Sequence, residues 1–107
     1  MDKNKLIKDR ISINTAEVEI PGVGKVVVRG LSRYELLLSG KNTEDVAVIE
    51  RRTLATALVD PRMSEADVEQ WQKNSPASEI GPVTKAIQTL SGLGEGAGKS
   101  DVSEAGE

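Results

Sequence analysis

Cysteine, histidine and phenylalanine are absent from the chain. Without cysteine there are no disulfides and no thiol nucleophile; without histidine there is no imidazole base, and the usual zinc ligands go with both. Most catalytic constellations are thereby excluded, and the sequence offers no catalytic residue, no metal ligand and no cofactor-binding residue. Aromatic residues are almost missing, Tyr34 and Trp71 being the whole set. The core must therefore be built from Val, Leu, Ile and Ala, with modest stability expected unless a partner adds burial. No apolar run approaches a membrane span, and the polar opening MDKNKLIKDR lacks a signal-peptide core, so the chain is expected to stay in the cytoplasm, off the membrane. Positive charge is not in surplus: a formal net charge of −3 argues against nucleic-acid binding. What is present, 107 residues with 37% hydrophobic content, fits one small domain without room for a deep catalytic cleft.

The large aliphatic residues concentrate in residues 46–93, with Trp71 and three of the four prolines. Residues 1–10 carry four basic against two acidic side chains and are read as a flexible basic arm, either solvated or touching phosphate or an acidic partner. From Ile11 to Arg29 the apolar period is two, in Ile11 and Ile13, then Val18 and Ile20, then Val26 and Val28, the pattern of half-buried strands. Pro21-Gly22 between the last two runs suits a type II turn, so a β-hairpin is predicted, its register left open by a possible bulge at Gly24. These glycines join strand to strand without GxGxxG spacing, so they do not form a phosphate cradle.

Ser32-Arg33-Tyr34-Glu35 matches a capping box and starts a short helix ending before Gly40. Leu36, Leu37 and Leu38 are consecutive and cannot all share one face, so at least one faces a neighbouring element or solvent. Tyr34 either closes the edge of the core or contacts a partner. Thr43 is expected to cap a helix over 43–59, apolar nearly all round and therefore central, which Asp60-Pro61 closes. Glu50 is expected to be paired or at an edge. Ser64 opens a further helix ending near Asn74, on which Val68 and Trp71 share a face that Met63 reaches; Trp71 either anchors this helix on the central one or docks a partner. Ser75-Pro76, Ser78 and Gly81-Pro82 each offer a start for the last helix, whose core stripe is Ile80, Val83, Ile87 and Leu90. Residues 94–107, poor in large apolar residues and rich in Gly, Ser and acid, read as a disordered acidic tail. Gly98-Lys99-Ser100 there imitates the end of a P-loop, but Leu93 stands where its first glycine belongs and the preceding strand is missing. The predicted fold is α+β: a small N-terminal β-hairpin packed on three to four short α-helices, residues 11–93 forming the globular domain.

One further pattern spans roughly residues 17–93. The Pro-Gly hairpin leading into Val28-Arg29-Gly30-Leu31-Ser32-Arg33, then Glu50-Arg51-Arg52, Leu58-Val59-Asp60-Pro61, Met63-Ser64, Val68, Trp71, Pro76, Glu79, Pro82-Val83 and residues 87–93 resemble the tail assembly chaperones of siphophages and related prophages. That resemblance implies a non-enzymatic protein that coats the tape measure protein and keeps it soluble until tail tube subunits polymerise round it. It also implies possible contact with the tail tube protein, a longer frameshifted form of the same protein, and self-association. It supplies no residue-level binding motif. The residues chosen as candidate partner contacts are therefore the apolar ones least easily buried together, Tyr34, Leu36, Leu37 and Leu38, and the neighbourhood of Met63 and Trp71. The competing expectation is a generic protein-interaction adaptor or regulatory domain of a mobile element.

Overall fold

The computed structural model describes residues 1–93. The expected acidic tail and its Gly98-Lys99-Ser100 lie outside the described residues. Eight elements follow in chain order: α1 (Lys3–Ile7), β1 (Thr15–Ile20), β2 (Gly24–Arg29), α2 (Arg33–Ser39), α3 (Val46–Ala57), β3 (Leu58–Asp60), α4 (Glu65–Asn74) and α5 (Gly81–Leu90). The three strands form one antiparallel sheet in the order β1-β2-β3, covered on one face by helices, so the α+β prediction holds. No helix among the described residues is long and apolar enough to cross a membrane.

The hairpin forms as its turn residues dictate. The Val23 N–H donates to the Ile20 carbonyl at 2.9 Å and Gly22 sits at φ +80°, the left-handed value that a type II turn requires at its third residue. Ile20 pairs with Gly24, Val18 with Val26 and Ala16 with Val28. This register turns Val26 and Val28 inward with Val18 and Ile20, and leaves Glu17 and Lys25 together on the outer face, 3.9 Å apart. The alternation begins at Thr15 rather than Ile11. The Asp9 carboxylate accepts from the Ile11 and Ser12 backbone N–H groups and turns the chain there, so Ile13 is exposed. The basic arm contains a single helical turn, α1, capped by Asp2 and with no buried residue.

The main departure from the sequence-based expectation is β3. The central helix runs over Val46–Ala57 rather than 43–59, and Leu58–Asp60 pairs with β2, Leu58 opposite Val28 and Asp60 opposite Val27 with a register shift between them. Two causes act together. The residue before a proline is pushed out of the helical region, so Asp60 is extended; and β2 would otherwise bury an open edge whose N–H and C=O groups need partners. At the start of α3 the cap is Asp45, which accepts from the Ala47 N–H at 2.9 Å, while Thr43 accepts from Asp45 itself. Ser64 and Asp67 form a full capping box on α4. Of the possible starts for α5, Gly81-Pro82 is the one used.

Ile20, Val28, Leu31, Leu54, Ala57, Leu58, Val68, Ile80, Val83 and Ile87 make the core. It is aliphatic throughout, as the scarcity of aromatics requires. Gly30 is buried in it because the backbone of α5 passes directly over: a Cβ there would lie 2.6 Å from the Leu90 carbonyl oxygen.

Candidate functional site

Two surfaces gather the candidate partner residues. The first is α2. Its capping box is complete, the Ser32 hydroxyl accepting from the Glu35 N–H and the Glu35 carboxylate from the Ser32 N–H. The helix is then clamped at both ends. At its start the Arg29 guanidinium grips Glu35 through two bonds of 2.9 and 2.7 Å, and this pairing, with the Ser32 N–H, holds the Glu35 carboxyl down at about 2. At its end Arg52 from α3 donates to the Lys41 and Ser39 carbonyls. Polar bonds to charged groups contribute more than neutral ones, so α2 is fixed without spending its outward face.

That outward face is apolar. Tyr34, Leu37 and Leu38 stand at i, i+3 and i+4, which places them on one strip, and they are 70%, 57% and 41% exposed. Tyr34 therefore does not close the core. Leu36 turns the other way, packs against the core and lines a concavity of about 290 Å³ between α2, α3 and α5. The three leucines thus divide as their spacing demands, one inward and two outward.

The second surface is a groove between the hairpin loop and α4, about 510 Å³ in volume. Ile20 and Val26 from the hairpin, with Met63 and Trp71, form its apolar floor; Val23 and Pro61 flank it; Asp67, Gln70, Asn74 and Glu79 give it a polar rim. Trp71 is half-buried, and its indole N–H donates to the Glu79 carboxylate at 2.7 Å, which satisfies the one polar atom of the ring. The polar bonds between α4 and α3 come from other residues: Gln72 donates to Glu50 and to the Ala47 carbonyl and accepts from Arg51, and Arg51 lies 3.9 Å from Glu69. Glu50 is thus paired, as expected, while Trp71 faces the hairpin.

The structure brings Met63 and Trp71 together and keeps them apart from Tyr34, Leu37 and Leu38. The groove lies by the hairpin loop, whereas Tyr34 and Leu38 line a separate concavity with Arg52, Thr56 and Glu65. Sequence reasoning missed the parts played by four residues. Val23 looked like turn filler, Glu79 is eight residues from Trp71 with no helical spacing to link them, and Arg29 and Glu35 are joined only by the strand-to-helix corner. The period-two pattern places Arg29 on a strand next to a capping box, and that adjacency is the one signal that could have suggested the pairing. Among the described residues no group of three or more carboxylates is placed to hold a metal ion.

No protein-family model, no curated protein and no solved structure matches this chain.

Proposed function

We propose that this chain is a non-enzymatic phage tail assembly chaperone that works in the host cytoplasm, binding the tape measure protein and keeping it soluble until the tail tube forms. The observation that carries the reading is the Tyr34, Leu37 and Leu38 strip, exposed on a helix that is clamped at both ends. Fully burying a leucine side chain stabilises by about 1.5–3 kcal/mol. The strip starts partly covered, so one copy contributes only roughly a few kcal/mol before association costs are subtracted. Contacts that weak suit a long helical client, along which many copies bind side by side and from which tube subunits must later displace them.

Co-expression with the tape measure protein of the same phage or prophage tests the reading. The client is expected to be insoluble alone, soluble with this chain, and co-eluting with several copies of it. Unchanged client solubility with separate elution overturns the proposal and leaves the adaptor reading in its place.

A further inference from the structure

The basic arm and the acidic segment 94–107 are two features that the chaperone reading does not use. Residues 94–107 hold four acidic side chains against one lysine, and so account for the whole formal charge of −3. Val102 is their one large apolar residue, so anything that recognises the segment does so through its carboxylates. A basic concavity of about 540 Å³ lies where that segment begins. The arm, the start of α2 and the end of α5 form its walls, and its charged lining is Lys8, Arg10 and Arg33 against the single carboxylate of Asp9.

Three parts of the chain are bonded together to make this concavity. The Asn14 side-chain amide donates to the Leu90 carbonyl at 3.1 Å and the Gly30 N–H to the Asn14 carbonyl, which holds the base of the arm between β2 and α5. The Ser91 hydroxyl accepts from the Leu31 N–H at 2.7 Å and ties α5 to the corner before α2. Most polar groups of the lining are engaged in this way: Ser32 caps α2, and the Asp9 carboxylate takes the Ile11 and Ser12 N–H groups and the Ser12 hydroxyl. The cations are not. Arg10 donates to the Leu6 carbonyl, a neutral acceptor, and among the described residues none of the three cations forms an ion pair. A concave wall with a surplus of positive charge attracts anions, and guanidinium groups match carboxylates in particular.

We propose that the carboxylates of residues 94–107 dock in this concavity of the same chain, where Lys8, Arg10 and Arg33 receive them. Gly92 lines the concavity, and its φ of +82°, with the Leu93 N–H bonded to the Gln88 carbonyl, fixes where the segment departs. Glu95 follows Gly92 by three residues and Asp101 by nine, a reach of about 10 Å and about 30 Å in extended chain, so attachment does not limit contact. Exposed ion pairs are individually weak. Attachment offsets this, presenting the carboxylates at an effective concentration on the order of millimolar, which an acidic protein in solution does not match. The same exposure makes the contact sensitive to salt.

Paramagnetic broadening of NMR signals in the whole chain tests this. The chain has no cysteine, so Ser103→Cys carries a single nitroxide among the acidic residues. The backbone amide signals of Lys8, Arg10 and Arg33 are expected to broaden at about 20 mM salt and to recover at about 0.5 M, as the screening length falls from roughly 20 Å to roughly 4 Å. The reference is the same labelled chain with Glu95→Gln, Asp101→Asn, Glu104→Gln and Glu107→Gln, equal in length and without acid in the segment. Its broadening at those amides is expected to be weaker and indifferent to salt. Lys8→Gln with Arg33→Gln, both at exposed positions, is expected to lower the broadening at Arg10 to the same level. Spin-labelled chain mixed with isotope-labelled, unmodified chain separates docking within a copy from docking between copies, and no broadening is expected in the mixture. Equal broadening by the charged and neutralised segments overturns the proposal. So does broadening in the mixture, and so does an Arg33 side-chain signal that moves with added inorganic phosphate while the charge of the segment has no effect on it.

Discussion

Gly30 and Glu35 show how much single residues control here. At Gly30 the neighbour that a Cβ would meet is backbone, the Leu90 carbonyl at 2.6 Å, and backbone does not swing aside as a side chain would. Gly30→Ala is therefore expected to cost about 1–3 kcal/mol, read as a lower urea midpoint with an unchanged slope; an unchanged midpoint would mean that α5 does not lie over the strand as described. Glu35 acts through charge. The Arg29 guanidinium, followed by the Ser32 N–H, lowers its pKa from 4.5 to about 2, and both partners of the pair are mostly covered. A carboxylate depressed in the folded state adds stability that is present above its unfolded pKa and is lost as pH falls through its folded one. Glu35→Gln is expected to lower stability by on the order of 2 kcal/mol at pH 7. Its deficit relative to the wild type should close between about pH 5 and pH 2. Thermal melts of the two proteins across that range check the sign, and a deficit independent of pH contradicts it.

Among the elements, α3 is the one whose character differs most along its length. Leu54 and Ala57 are fully buried while Val46 is exposed, so the helix is central only towards its C-terminal end. Leu54→Ala is expected to cost about 2–5 kcal/mol and Val46→Ala within about 0.5 kcal/mol; equal effects in denaturant titrations would refute that gradient. The same helix shows what was legible in the sequence. The Ser32–Glu35 capping box, the Ser64 helix start, the Pro-Gly turn and the α5 stripe each depend on neighbours no more than four positions apart along the chain, and each was readable. The end of α3 was not. Leu58 extends an apolar strip of the helix as readily as it starts a strand, and the choice is made by the β2 edge, thirty residues earlier in the chain. The groove was half legible for the same reason: Met63 and Trp71 belong to one local pattern, but Val23 and Glu79 arrive through tertiary packing. Of the α2 strip, the crowding of three leucines was plain, and which two face outward was decided by where α3 sits.

At the scale of the whole molecule, the sheet and its aliphatic core hold two apolar surfaces, the α2 strip and the Trp71 groove. In the proposed chaperone reading, the α2 strip is the surface that binds the client. The most direct measurement is the amount of tape measure protein kept soluble on co-expression with the triple variant Tyr34→Ser, Leu37→Ser, Leu38→Ser, scored beside its melting temperature. All three α2 residues are exposed, so the triple variant is expected to melt within a few degrees of the wild type and to lose at least about tenfold in soluble client, the effect of roughly 1.4 kcal/mol or more of binding energy. A triple variant that folds normally and solubilises the client as well as the wild type would contradict the assignment of α2 as the client-binding surface.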